Sequence, residues 1–398
     1  MQEQENKKSR LLPKRAGFVF RFAVGKENSS NNSLFLKIKN IPLRFLTEHT
    51  IIKTNTIAAN KGQSEKGNVV SMANEKKVLK RVGVLTSGGD APGMNAVIRS
   101  VVRTCAVNNI QTIGIKRGYN GLLTNDFVEL NARSVNGLTS KGGTMLYTAR
   151  SKEFATPEGV KRAAENCRYM GIDGIVCIGG DGTFRGARDL SAAGVNTVAV
   201  PATIDNDISC TEYTIGFDTA CNTAIDAIDK LSDTMQSHER ISVVEVMGRN
   251  AGHLALYVAC AVGATAVLLP ERGFDIKQDV VEKVRAGRLN GRNHFIVIVA
   301  EGVGHATEVS KRIQEETGME TRLTILGHVQ GGGSPNGRDR VTATEMGHHA
   351  VEALLAGKTN IVVAYRDDEL VDIDIDEALS MKKSYDPYRY RIISEIAR

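Results

Sequence analysis

The sequence predicts an α/β protein with two doubly wound, Rossmann-like domains and a functional site in the cleft between them. Short apolar runs rich in β-branched residues alternate with longer segments whose apolar residues recur every three or four positions. Glycine-rich turns carrying acidic residues follow several of the short runs. A chain of 398 residues is also long enough for two hydrophobic cores.

The alternation becomes regular from Val78 onward. Val82–Leu85 predicts a buried strand, and the apolar spacing from Met94 to Cys105 predicts the helix that follows it. Further strands are predicted at Thr112–Ile115, Gly174–Ile178, Thr197–Val200, Ile241–Val246, Ala266–Leu269, Phe295–Val299 and Leu323–Leu326. Further helices are predicted near 157–170, 183–193, 217–235, 251–261, 277–287, 307–317 and 340–356. We expect a domain boundary near Gly216, with one domain over 78–215 plus about 329–379 and the other over 216–328 plus about 380–398.

The amino-terminal residues 1–77 differ from the rest of the chain and form a basic extension. Residues 1–78 hold 15 Lys and Arg against 6 Asp and Glu, a net charge of +9, so the remainder of this +6 chain carries −3. Three interpretations stay open: a disordered basic tail, an organellar targeting segment, or upstream sequence that is not native, with Met72 as the natural start. The glutamates of the extension argue against targeting, because transit peptides are poor in acidic residues.

Composition excludes several classes of protein. The mildly acidic body offers no electrostatic case for nucleic-acid binding. No apolar run reaches the roughly 18–20 residues that span a membrane. The six cysteines lack C-x-x-C spacing, which predicts free, buried thiols in a reducing cytoplasm and argues against a zinc site.

Polar turns follow three of the predicted strands. They read SGGDAPG (87–93), GGDGT (179–183) and PATIDND (201–207). Ligands of parallel α/β sheets bind at such strand ends, and glycines there let backbone N–H groups approach a phosphate. Gly182 leaves room for a phosphate, and Asp181 can bind Mg²⁺. Each turn also has a purely structural interpretation, as an ordinary βα turn or a helix N-cap.

The third turn supplies a candidate base. In an extended segment Asp205 and Asp207 point to the same side, so one can accept a hydroxyl proton while the other orients metal or water. The alternative is an Asx-turn network that caps a loop. Arg150, which ends GGTMLYTAR, and Arg249, which follows the strand Ile241–Val246, are the candidate cations, although a loop arginine is also a common surface charge.

These motifs together resemble the ATP-dependent 6-phosphofructokinase family of bacterial type. The matching segments are LTSGGDAPGMN (85–95), IGGDGT (178–183), PATIDND (201–207), SHERISVVEVMGR (237–249), VAEGVG (299–304) and LGHVQGGGSP (326–335). The resemblance runs from about Val78 to near Leu370 in family order. PATIDND with VEVMGR is highly specific, whereas NAD kinases and lipid kinases share GGDGT.

The resemblance implies transfer of the ATP γ-phosphoryl group to the 1-hydroxyl of fructose 6-phosphate in glycolysis, with Mg²⁺ as cofactor. It implies that Asp205 is the base, that Arg249 stabilises the transferring phosphoryl group, and that Thr203 and Asp207 assist them. Asp181 resembles the Mg²⁺ ligand. The residues that resemble ATP contacts are Gly89, Arg150, Ser151, Gly180, Asp181, Gly182 and Thr183.

The resemblance also assigns the sugar phosphate and the assembly. It makes 78–215 plus about 329–379 the ATP-binding domain and the other domain the sugar-phosphate domain. The implied fructose 6-phosphate contacts are Thr203, Ile204, Asp205, Arg240, Met247, Gly248, Arg249, Glu301, Arg322 and His328. In the family the equivalents of Arg240 and Arg322 reach across from a neighbouring subunit, which implies a cytoplasmic homotetramer.

This chain departs from the family pattern at positions that affect the choice of phosphoryl donor and the binding of the sugar phosphate. Pyrophosphate-dependent relatives carry an Asp at the position of Gly182 and a Lys at that of Ala202, so this chain favours ATP. A pyrophosphate-dependent enzyme and a non-catalytic sugar-phosphate-binding paralogue remain the alternatives. Gly331 stands where the family has an arginine that helps hold the sugar phosphate, and we therefore expect a raised KM for fructose 6-phosphate.

The effector site implied by the family is depleted in this chain. Arg99 and Arg103 remain on the first helix. The positions usually held by Arg, Glu, Lys and Arg carry Ser232, Thr265, Asn290 and Ala132. We expect weak or absent activation by ADP and weak inhibition by phosphoenolpyruvate.

Overall fold

The computed structural model describes residues 79–397, so the predictions for the amino-terminal extension lie outside the described residues. Strands in this part of the chain are β1 (Arg81–Ser87), β2 (Gln111–Ile115), β3 (Phe127–Leu130), β4 (Gly174–Gly179), β5 (Asn196–Pro201), β6 (Ile241–Val246), β7 (Ala266–Leu268), β8 (Phe295–Ala300), β9 (Thr321–Ile325), β10 (Ile361–Arg366) and β11 (Glu369–Asp374).

Helices cover both faces of the sheets. They are α1 (Met94–Val107), α2 (Tyr119–Thr124), α3 (Pro157–Tyr169), α4 (Asp181–Ala192), α5 (Phe217–Ser237), α6 (His253–Ala261), α7 (Glu282–Leu289), α8 (Ala306–Thr317), α9 (Gly337–Leu355), α10 (Ile375–Ser380) and α11 (Pro387–Ile396). A π-helical turn at Lys277–Val281 leads into α7, within the segment predicted as one helix.

Two sheets organise the described chain, which confirms the predicted α/β class. The first has the order β11-β10-β5-β4-β1-β2-β3 and the second β7-β8-β6-β9. The second sheet is parallel throughout, and the first is parallel except at its edge strands β3 and β11. Strands buried on both faces, such as β1, β4 and β8, explain the continuous apolar runs of the sequence.

The unpredicted elements are mostly short or lie at an edge. β10 and β11 form a hairpin whose two-residue loop, Asp367–Asp368, has positive φ at both positions (50° and 62°). Positive φ at both loop residues matches the right-handed twist of the flanking strands. Aspartate tolerates that conformation better than most residues, yet the pair is a weaker hairpin signal than Asn-Gly, so the sequence did not reveal it.

Three apolar layers form the core. The largest joins the inner faces of both sheets through α1, α5, α6 and α9, and the two others fill the outer faces. Five of the six cysteines are buried and Cys260 is half-buried, and all six are free, as predicted. Helix α10 packs on α4 and β11 of the first sheet, whereas α11 packs on α6 and β7 of the second. The segment 381–386 therefore crosses between the two sheets.

Candidate active site

The first two polar turns are tied together at the carboxyl ends of β1 and β4. The Thr183 hydroxyl donates to the Ser87 carbonyl at 3.0 Å, and the Thr148 hydroxyl donates to the Gly88 carbonyl at 2.6 Å. Gly88 has φ +89°, in the left-handed region where a glycine is not strained. The GGDAPG and GGDGT turns thus line one edge of the first sheet, as expected for a parallel sheet.

Asn95 fixes the third segment of this edge, the turn that leads to Arg150. Its amide donates to the carbonyls of Lys141 and Gly142 at 3.1 and 3.0 Å, and its Oδ1 accepts from the Met145 N–H at 2.8 Å. Asn95 ends the LTSGGDAPGMN motif, but no role was predicted for it. The available signal was a polar residue among the apolar positions that begin α1.

The amino terminus of α4 presents Asp181 and Gly182. A Cβ built on Gly182 meets no atom within 4 Å, so the space beside it is open. Backbone N–H groups and the helix dipole favour an anion at this terminus. Burial raises the pKa of Asp181, and the negative charge of Asp207 raises it further. The two carboxylates are therefore close enough to repel each other.

Asp205 is the buried carboxylate of the site, with 4% of its surface exposed. Its N–H donates to the Thr203 hydroxyl at 3.3 Å. Burial and the charge of Asp207 raise the pKa of Asp205 from 3.8 to about 6, against the opposing charge of Arg249. A carboxyl with a pKa near neutrality can accept and return a proton.

The expectation that Asp205 and Asp207 lie in an extended segment is wrong. Ile204 and Asp205 form a turn, and Asn206 has φ +49°. The turn arises because β5 ends at Pro201, after which the chain closes back through a bridge between Ala202 and Ile215. The two carboxylates interact across this turn rather than along a strand.

Arg249 approaches Asp205 from the second sheet. Its Nε lies 3.9 Å from the Asp205 Oδ2, and its N–H donates to the Glu301 carboxylate at 2.9 Å. Arg249 has φ +52°, an uncommon conformation for a non-glycine residue. The neighbouring position 302 requires glycine, because a Cβ on Gly302 would lie 2.4 Å from the Arg249 carbonyl oxygen. The ends of β5, β6 and β8 thus converge.

Arg240 and Arg322 lie at the other end of the second sheet. Arg240 precedes β6, and Arg322 pairs with Ser242 near the start of that strand. β6 has six residues, about 20 Å at the usual rise per residue, which separates this end from Arg249. Both guanidiniums contact Glu320, with Arg240 Nε 2.7 Å from its carboxylate. Hydrogen bonds from Arg240 and Arg322 lower the pKa of Glu320.

The other predicted residues are distributed around these features. His328 follows β9 at the carboxyl edge and is exposed, as is Arg150. The Ser151 hydroxyl accepts from the Phe154 N–H at 3.2 Å. Residues placed directly at the converging strand ends are Gly89, Gly180, Thr203, Ile204, Met247, Gly248 and Glu301.

The residues of the implied effector site lie elsewhere. Arg99 and Arg103 are on α1, and Arg103 donates to the Asn136 amide oxygen at 2.8 Å. Thr265 is fully buried, and its hydroxyl has no hydrogen-bond partner within residues 79–397. A side chain enclosed in this way is not accessible to a bound effector in this chain.

The acidic residues of the site suit a Mg²⁺ ion that is bound together with a phosphate substrate. No group of three or more His, Cys, Asp or Glu side chains that could hold a metal occurs among the described residues. Mg²⁺ in kinases is held by one or two carboxylates together with substrate phosphates, so such a group is not needed. Burial and, to a smaller extent, the charge of Asp207 raise the pKa of Asp181, and a bound cation would favour its ionised form.

Comparison with known proteins agrees with this geometry. The sequence model of the family described as phosphofructokinase matches residues 81–354. A protein of Clostridium botulinum (strain Loch Maree / Type A3) named ATP-dependent 6-phosphofructokinase is 50% identical over 320 residues, 80% of this chain and all of that protein. A Clostridium tetani protein of the same name is 51% identical over 319 residues. The chain belongs to the phosphofructokinase family.

Solved structures share the fold. The phosphofructokinase of Saccharomyces cerevisiae aligns with a TM-score of 0.71 and 35% identity over 75% of this chain, which spans 45% of the yeast chain. A pyrophosphate-dependent phosphofructokinase from Marinobacter aquaeolei aligns with a TM-score of 0.70, 80% coverage of this chain and 91% of its own, but only 19% identity. At that identity the likeness concerns the fold alone. No helix in the described range is long and apolar enough to cross a membrane.

Proposed function

We propose that this chain is an ATP-dependent 6-phosphofructokinase, which phosphorylates the 1-hydroxyl of fructose 6-phosphate. The observation that carries the proposal is the buried Asp205, whose pKa is raised to about 6, with the Arg249 Nε 3.9 Å from its carboxylate. The identity of 50% to curated enzymes of this name supports it. The reaction needs a base for the alcohol and positive charge for the phosphoryl group, and this pair supplies both.

Asp205 acts on the sugar hydroxyl. Its carboxylate accepts the proton of the 1-hydroxyl, whose oxygen forms a bond to the γ-phosphorus of ATP. The bond from that phosphorus to the β–γ bridging oxygen breaks, and ADP leaves with that oxygen. The pKa of Asp205, about 6, lies below pH 7, so the carboxylate is mostly ionised before the step, and it is a stronger base than an ordinary carboxylate because its pKa is raised.

Arg249 and the α4 terminus hold the phosphoryl donor. The exposed guanidinium of Arg249 stabilises the charge on the transferring group, and Glu301 fixes the Arg249 backbone. Asp181 and the α4 terminus would face the β- and γ-phosphates of bound ATP. Mg²⁺, held by Asp181, neutralises part of the phosphate charge when it is bound.

Two positions support ATP as the donor. The open space at Gly182 admits the α-phosphate, which an aspartate there would crowd and repel. Ala202 is buried in the bridge to Ile215 and carries no cation toward a compact donor such as pyrophosphate.

The distance between Arg249 and the Arg240–Arg322 pair supports a site completed by a neighbouring subunit, as in the homotetramer that the family resemblance implies. Six residues of β6 separate them in one chain, so Arg240 and Arg322 would bind the 6-phosphate held by a neighbouring subunit.

We assign the first sheet to the ATP-binding domain (78–215 plus about 329–379) and the second to the sugar-phosphate domain. Six free thiols support a cytoplasmic location.

A coupled assay of the purified protein tests the proposal. We expect fructose 1,6-bisphosphate to form from fructose 6-phosphate with ATP and Mg²⁺, and not with pyrophosphate. Gly182→Asp should abolish most ATP use yet fold normally, because its Cβ is unobstructed and an acid in the first turn suits the helix dipole. Gly182→Ala is the matched control and should retain ATP use.

Two outcomes would contradict the proposal. Activity with pyrophosphate in place of ATP would support the pyrophosphate-dependent alternative. Binding of fructose 6-phosphate without turnover of either donor would support a non-catalytic paralogue.

A further inference from the structure

Lys383 lies in the 381–386 crossover between the two sheets, outside every motif of the family resemblance. Its Nζ donates to the Asn206 side-chain oxygen at 3.1 Å and to the Thr211 carbonyl at 2.9 Å. A half-buried lysine near the carboxyl terminus therefore contacts the turn that carries the catalytic carboxylates.

Asn206 is the residue between Asp205 and Asp207, and its conformation sets their directions. It has φ +49°, so the backbone reverses there. Its amide nitrogen donates to the Glu212 carbonyl at 3.2 Å, and its oxygen also accepts from the Thr214 hydroxyl at 3.4 Å. Both of these partners belong to the same loop and move with it.

The loop has a second attachment, to β10. The Glu212 N–H donates to the Tyr365 carbonyl at 2.9 Å, and the Tyr365 N–H donates to the Thr211 hydroxyl at 2.9 Å. These bonds hold the far side of the loop. Among the hydrogen bonds of the described chain, the one that fixes Asn206 itself from outside the loop comes from Lys383.

The charges around Lys383 favour the same contacts as its hydrogen bonds. The Lys383 ammonium attracts the Asp207 carboxylate, while Arg249 attracts Asp205 from the second sheet. Burial lowers the pKa of Lys383 to about 8, against the opposing effect of Asp207, so the amine is mostly protonated at pH 7. A charged donor makes a stronger hydrogen bond to Asn206 than a neutral one.

We propose that Lys383 is a positioning residue that holds Asn206 in its left-handed conformation and thereby aims Asp205 at the sugar hydroxyl. The inference rests on the proposed function, in which Asp205 is the base. Misplacing a catalytic group by about 1 Å costs on the order of 100-fold in rate. Loss of the Lys383 bonds should therefore reduce kcat, while the Asp181 turn and the Arg240–Arg322 pair, which it does not contact, keep their substrate affinities.

The test compares Lys383→Met with Lys383→Arg and with Lys382→Met as the matched exposed neighbour. We expect Lys383→Met to lower kcat by roughly 10- to 100-fold, with KM for ATP and fructose 6-phosphate within about threefold of wild type. Lys383→Arg, which keeps a charged donor, should recover most of kcat, and Lys382→Met should match wild type. Adding Lys383→Met to Asn206→Ala should cost little more than Asn206→Ala alone, because both remove the same Lys383–Asn206 hydrogen bond.

Each outcome decides the inference. Wild-type kcat in Lys383→Met, or additive losses in the double variant, would overturn it while the proposed function stands. Lack of any phosphoryl transfer in wild type would overturn the proposed function and the inference with it. If Lys383→Met fails to fold, Lys383→Gln, which keeps two N–H donors but loses the charge, carries the same comparison of kcat with KM.

Discussion

Asn in place of Asp205 should stabilise the protein while it removes activity. The pKa of this buried carboxyl rises from 3.8 to about 6 on folding, so its ionised form is disfavoured in the native state. About two pKa units correspond to about 3 kcal/mol at pH 7. An amide also loses water when it is buried, and we therefore expect Asp205→Asn to raise the free energy of unfolding by about 1–3 kcal/mol.

The gain should depend on pH in a defined direction. Between about pH 4 and pH 6 the native wild type binds more protons at Asp205 than the unfolded chain, so its stability falls as the pH rises through this window. Above about pH 6 Asp205 is ionised in the native state as well, and the full cost of its buried charge lowers the stability of the wild type. Asp205→Asn lacks this titration, and its advantage over wild type should be near its minimum at pH 4 and reach its maximum above pH 7.

Urea unfolding at pH 4.5 and pH 7.5, at one fixed protein concentration, measures the difference. The exposed Asp229→Asn variant is the matched control and should show no such gain. Steady-state kinetics should show kcat reduced by at least about 100-fold in Asp205→Asn. An Asp205→Asn protein less stable than wild type at pH 7.5, or a gain that does not increase with pH, would refute this reasoning.

Three other predictions follow from single sites. Gly331→Arg should lower the KM for fructose 6-phosphate by roughly ten- to 100-fold, because one charge-assisted contact contributes about 1.5–3 kcal/mol. The side chain has room, since a Cβ at this position meets nothing within 4 Å. Gly331→Met is the uncharged control, and an unchanged KM in the arginine variant would contradict the expectation. Asp339→Ala should destabilise the protein by about 3–5 kcal/mol in chemical unfolding, because it leaves three buried donors without their acceptor: the Tyr213 hydroxyl and the Gly216 and Thr219 N–H groups, which lie 2.7 and 2.9 Å from this fully buried carboxylate. A loss below 1 kcal/mol would argue against that network. ADP and phosphoenolpyruvate should shift the fructose 6-phosphate saturation curve little, since Thr265 is enclosed in the core; a large shift by either would overturn that expectation.

Local sequence patterns were sufficient for the elements that form the sheets. β6 spans the predicted Ile241–Val246, β4 and β8 each extend one residue beyond their predicted carboxyl ends, and β5 is one residue longer at both ends. The reason is physical: strands buried on both faces require continuous β-branched apolar residues, which are visible without tertiary information. β9 was predicted two residues late at its start, because as an edge strand it is only partly buried and its first residues are polar.

The sequence by itself determined the α/β class, the three polar turns and, through its motifs, the chemistry of Asp181, Asp205 and Arg249. Tertiary structure decided how these groups meet. It formed a turn at Asp205, brought the Nε of Arg249, from the other sheet, to 3.9 Å from the Asp205 Oδ2, and set Arg240 at the opposite end of β6. It also brought Lys383 to Asn206, 177 positions earlier in the chain. Contacts over such separations depend on the packing of whole sheets, which no local spacing of residues records.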